Sequence, residues 1–143
     1  MPAFNKYLAR CQSLLQTGKP VTDVLWYLGD GLDHKPRQDA SLPAGFQYDY
    51  VNTDGLLNCL HVEEGMLKTD EGIEWKYLWL PPDTRVTERT LRRLHELVLQ
   101  GATIIGRPSS ENPTLVDGAA ANERHASLIH GLWGDENLSL IHI

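Results

Sequence analysis

Cysteine is scarce: Cys11 and Cys59 are the only two in 143 residues. Both sit inside apolar helical patterns, which argues against a disulfide framework or a thiolate zinc site, so each is expected to be a small buried side chain rather than a nucleophile. Long apolar runs are also missing. No stretch approaches the roughly 20 residues that a membrane helix needs, and "MPAFNKYLARCQ" lacks the basic-then-apolar order of a secretion signal, so no membrane partner is expected. Basic residues are outnumbered 13 to 19 by acidic ones, a net charge of −6. That balance leaves no electrostatic footprint for nucleic acid.

Several catalytic signatures are absent as well. A dinucleotide site needs G-x-G-x-x-G, but "GDGLDH" supplies only the first two glycines and sets Asp30 where it would repel a pyrophosphate. Neither G-x-S-x-G nor G-x-C-x-G occurs, so no nucleophile elbow is expected. A receiver-type phosphoacceptor requires a carboxylate at the end of a central strand, where "YLWLPP" has prolines instead.

What is present is an ordinary globular composition, 41% apolar and 22% charged. The length suits one domain, which at this size buries roughly 68–70% of its unfolded surface. Phe4, Tyr7, Leu8, Cys11, Leu14 and Leu15 recur at helical spacing and predict a first helix that stops at Gly18 with Pro20 behind it. "DVLWYLG" is a near-continuous apolar run, the pattern of a buried parallel strand. From Asp30 to Tyr50 the glycines and prolines predict a long loop, a kind of segment that in compact domains usually binds something or is disordered.

Asn52 is placed to cap a short helix with Leu56, Leu57 and Leu60 inward. A small hairpin around "EEG" then feeds "IEWKYLWLPP", read as one buried strand ended by Pro81 and Pro82. Glu63 and Glu64, flanking that turn, are expected in solvent. Thr87 caps a helix with Leu91, Leu94, Leu97 and Val98 on one face and Gly101 at its end, and "ATIIG" follows as a third buried strand. A last helix is expected from Asn122 as cap, with Leu128, Ile129 and Leu132 inward. Strands alternating with helices imply an α/β fold, a three-layer doubly wound sandwich with a mostly parallel sheet, incomplete at its C-terminal end.

In such a sheet ligands bind beyond the carboxyl ends of the strands, which makes Asp30, Asp33, His34, Asp83 and Arg107 positional candidates. The D-x-x-D-H spacing of Asp30, Asp33 and His34 offers metal-ligand chemistry, although loop aspartates more often cap turns. Trp26 and Trp79 fall within buried strands and are expected in the core. Tyr48 and Tyr50 around Asp49 suit the lining of a polar pocket as well as they suit simple loop packing.

"YLARCQSLLQTGKPVTDVLWYLGD", "LPAGFQYDYVN" and "YLWLPPDTRVTERTLRRLHELVLQGATIIGRP" together resemble the amidotransferase-like accessory domain of glycoside hydrolase family 106, the α-L-rhamnosidases. The similarity runs from about residue 4 to 135. It implies a flavodoxin- or amidotransferase-like domain, residues 1–137, within a large secreted or periplasmic bacterial enzyme that removes terminal rhamnose. The acid and base would lie on a catalytic barrel elsewhere in that parent, with a calcium ion near the sugar and no cofactor on this chain. The resemblance makes the rest of the parent polypeptide and a carbohydrate substrate the expected partners. It also makes Met1 internal to a longer gene and sets Leu138 to Ile143 apart as a non-native tail. No catalytic residue is assigned, and Asp30, His34, Tyr48 and Asp49 are the residues expected to face the sugar site of the intact enzyme.

Overall fold

In the computed structural model the described residues are 2–31 and 45–134. Helix α1 (Pro2–Leu15) ends before Gly18, whose φ of 110° turns the chain. Strand β1 (Val24–Tyr27) is buried at all four positions, as its unbroken apolar run predicts for a strand flanked on both sides. It pairs in parallel with β2 (Tyr48–Val51) on one side and β6 (Tyr77–Trp79) on the other. β7 (Thr103–Ile105) adds in parallel beyond β6, giving the order β2-β1-β6-β7.

Two expectations are corrected along this sheet. The loop expected to run through Tyr50 already ends in strand: Tyr48, Asp49, Tyr50 and Val51 are β2, in register with Val24 to Tyr27. A four-residue strand behind a Gly/Pro-rich stretch leaves little periodicity to see, and β1 supplies the hydrogen bonds that fix it. The run "IEWKYLWLPP" is not one strand either. Glu74–Trp75 (β5) joins an antiparallel sheet with β3 (His61–Glu63) and β4 (Met66–Lys68), while Tyr77–Trp79 enters the parallel sheet. At the break the amides of Lys76 and Tyr77 both donate to the Asp23 carbonyl, at 3.0 and 3.2 Å.

The caps at Asn52 and Thr87 form as expected, because a side-chain oxygen two or three residues ahead of an orphan amide is a purely local device. Asn52 Oδ1 accepts from Gly55 N at 2.9 Å at the start of α2 (Thr53–Asn58). Thr87 caps α3 (Glu88–Leu99), which buries Leu91, Leu94 and Leu97 with Val98 half-buried beside them. Glu64 and Gly65, both at positive φ and exposed, make the two-residue turn between β3 and β4. That geometry matches the twist of a hairpin.

The last helix starts earlier than Asn122. α4 spans Gly118–Trp133, and Asn122 lies within it, its Oδ1 accepting from Asn112 Nδ2 at 3.1 Å. Asp117, at φ 61°, turns the chain into the helix without a side-chain cap. Ala121, His125, Ile129 and Trp133 form its buried stripe at four-residue spacing. Leu128 and Leu132 pack only partly against the core.

One core gathers Leu25, Tyr27, Leu78 and Ile104 from the sheet with Leu56 of α2, the α3 leucines, and Ile129 and Trp133 of α4. Trp26 points to the other face, 5.3 Å from the ring of Tyr48 and 5.8 Å from that of Tyr50. Trp26 is buried, as expected, but Trp79 is only half-buried. The expected third layer is not completed by α1: none of its residues is buried, and Phe4, Tyr7, Leu14 and Leu15 are each more than half exposed. The cysteines also depart from expectation, Cys59 being exposed at the end of α2 and Cys11 half-buried.

Candidate functional site

The chain leaves β1 toward β2 on one side and later crosses to β6 on the other. The carboxyl ends of β1 and β6 therefore flank the switch point at which the connections diverge and a crevice opens. A cleft of about 440 Å³ lies there. Trp26, Leu28 and Gly29 line it from β1, and Pro81, Asp83 and Arg85 from β6. Asp83 adopts φ 61°, a left-handed backbone that aspartate tolerates better than most residues.

Asp30 stands at this edge, but its oxygens face inward. Oδ1 accepts from the Tyr27 hydroxyl and from Thr53 Oγ1 at 2.8 Å; Oδ2 accepts from the Thr87 amide at 2.5 Å, and Thr90 Oγ1 lies 2.8 Å from both oxygens. Burial pushes the Asp30 carboxyl up, yet the hydrogen bonds from Tyr27, Thr87 and Thr90 outweigh it and hold the group below the usual carboxylate range. Tyr27 moves the opposite way, raised by burial and by its bond to Asp30. The pair is thus an ionised carboxylate and a protonated phenol. Such a carboxylate fastens the loop after β1 to the starts of α2 and α3, and its acceptor sites are occupied.

Tyr48 and Asp49 are adjacent in β2 but face opposite sides. Tyr48 packs with Trp26 and Tyr50, whose ring lies 5.4 Å away. Asp49 Oδ2 accepts from Thr22 Oγ1 at 2.5 Å and from Trp75 Nε1 at 2.9 Å, which ties the strand to the hairpin sheet. Asp49 is in register with Leu25, five residues ahead of Asp30, so the two carboxylates occupy different levels of the sheet. Asp33 and His34 lie outside the described residues. Of the four expected sugar-facing residues, then, Asp30, Tyr48 and Asp49 are placed and do not converge.

Nothing local in the sequence marks Thr53, Thr87 and Thr90 as partners of Asp30. They stand 23, 57 and 60 positions from it, and only the fold brings them together. His125 carries no local signal either: it is fully buried on α4, and its ring Nε2 lies 2.9 Å from the Val86 carbonyl, which makes that nitrogen the protonated donor. Among the described residues no three His, Cys, Asp or Glu side chains converge to hold a metal ion.

Comparison with known proteins puts this geometry in context. The model of glycoside hydrolase family 106, described as alpha-L-rhamnosidase, matches residues 1–142. A putative beta-glucuronidase of Formosa agariphila is 32% identical over 136 residues, which is 92% of this chain and 11% of that protein. The structure of a rhamnosidase from Novosphingobium sp. PP1Y superimposes with a TM-score of 0.72 at 28% identity, over 91% of this chain and 13% of that one. The chain therefore spans about a tenth of the length of these relatives. With the family model matched along nearly every residue, the chain belongs to glycoside hydrolase family 106, the alpha-L-rhamnosidase family.

Proposed function

We propose that this chain is an accessory module of a larger glycosidase, and that the parent hydrolyses terminal rhamnosyl residues with an acid and a base carried on other residues. The observation that carries this reading is the lopsided match: the family model takes in residues 1–142, yet the chain covers only 11% and 13% of the two relatives. The state of Asp30 supports it, since a carboxylate that already accepts from Tyr27, Thr53, Thr87 and Thr90 is not free to take a proton from a water or a sugar. In this reading calcium, where the parent uses it, is held by other parts of the polypeptide.

The strand order also supports the finer fold assignment. The first parallel strand lies inside the second, with the next two on its other side, the order in which a flavodoxin-like sheet also begins. The apolar face of α1 is then the surface on which the rest of the parent completes a third layer. That same face favours a second reading, a non-catalytic amidotransferase-like interaction domain whose partner is another protein.

The isolated chain is expected to release no product from aryl α-L-rhamnosides. Aryl β-glucuronides belong in the same assay, because the Formosa relative carries that name. Turnover of either substrate that disappears in Asp30→Asn would overturn the accessory reading.

A further inference from the structure

Resting on that reading, we propose that the cleft between the carboxyl ends of β1 and β6 is a binding site for one neutral pyranose unit, a carbohydrate subsite carried by the accessory module itself. Its volume, about 440 Å³, falls within the roughly 300–1,000 Å³ of small-molecule sites. The lining points to a sugar. Leu28 and Pro81 give an apolar wall for the C–H face of a ring. Asp83 and Arg85, both exposed, form no ion pair or side-chain hydrogen bond among the described residues. One brings only acceptors and the other only donors, which serve the two roles of a hydroxyl.

A free anion would meet the Asp83 carboxylate and a free cation the Arg85 guanidinium, so a neutral polyol suits the pair better than either. Trp26 lines the cleft from its base and is 99% buried, so its ring adds to the apolar wall. The walls are held ready: the Asp30 amide donates to the Arg85 carbonyl at 3.1 Å, which ties the two loops together, and the Ser109 amide, from the segment after β7, donates to the Thr84 carbonyl at 2.9 Å.

Titration of the ¹⁵N-labelled chain with methyl α-L-rhamnopyranoside tests this. The Trp26 indole N–H and the amides of Asp83 and Arg85 should shift saturably, and Asp83→Gly and Arg85→Ala should each weaken binding at least tenfold. Glycine suits the left-handed backbone at 83, so loss of binding in that variant is not loss of fold, and an unchanged dispersed spectrum confirms it. No saturable shift at these three groups, equal binding by both variants, or tighter binding of D-glucuronate than of the neutral rhamnoside would each overturn the subsite. None of those outcomes touches the accessory reading, which fails only if the isolated chain turns substrate over.

Discussion

At the scale of single residues, Asp30 is a position expected to face a sugar, and its oxygens accept instead from Tyr27, Thr53, Thr87 and Thr90. Because hydrogen bonding holds its carboxyl below the usual range, its contribution to stability is complete above the unfolded value of about 3.9. The contribution disappears as pH falls through the lower folded value. Asp30→Asn should therefore destabilise the chain at neutral pH by about 1.5–3 kcal/mol, the scale of hydrogen bonds to a charged group. The gap from wild type in thermal melts should narrow below about pH 4. Tyr27 has the opposite sign. Raised in the folded state, it contributes up to about pH 10 and loses that contribution as pH climbs further.

Asp30 also shows how much of the site could be seen in the sequence. Its position was legible, because a glycine and an aspartate after an apolar strand mark the carboxyl edge of a parallel sheet. Its role was not, because Thr53, Thr87 and Thr90 reach it only through two completed crossovers. Asp83 was legible in the same positional sense, whereas the opposed directions of Tyr48 and Asp49 depended on recognising "YDYV" as a strand.

At the scale of elements, caps and periodicity told which segments are helical but not what covers them. α3 shows Leu91, Leu94 and Leu97 at helical spacing and buries them; α1 also shows apolar residues at helical spacing and buries none. Periodicity reports that a face is apolar, and the partner of that face is a separate fact. Leu8→Glu with Leu15→Glu should leave the unfolding free energy of the isolated chain within about 1 kcal/mol of wild type, since each exposed substitution usually changes it by no more than about 0.5 kcal/mol. Self-association of the wild-type chain, followed by sedimentation velocity at rising concentration, should fall in the double variant. Asn122 is a good cap residue by type and predicts a later start for the last helix, while the real entry at Asp117 uses backbone conformation and no side-chain bond.

Gly106 marks the end of β7 for a physical reason. It sits at φ 97°, and a Cβ there would lie 2.1 Å from the Leu80 carbonyl oxygen. Its own carbonyl accepts from Trp133 Nε1 at 2.7 Å, which anchors the end of α4. Gly106→Ala should cost about 2–3 kcal/mol and appear as a lowered midpoint in urea. A neutral result would mean that the close approach of β6 and β7 is not required.

At the scale of the whole molecule, the parallel sheet has two outer strands, β2 and β7, and helices on one face form its main core. Short outer strands limit unwanted pairing, since β7 offers only three residues. The alternation of strands and helices made the parallel sheet legible at once. The two-sheet arrangement was hidden, because the apolar run through Lys76 gives no sign that its halves belong to different sheets.

That run has a mechanical consequence. One carbonyl, that of Asp23, receives the amides of Lys76 and Tyr77 at the point where the hairpin sheet gives way to the parallel one. Sliding of β6 along β1 would break the bond from Tyr77, and the adjacent bond from Lys76 holds the end of the hairpin sheet to the same carbonyl. A pull on the hairpin is thus delivered to β1, whose far end opens onto the cleft, through a linkage one residue long.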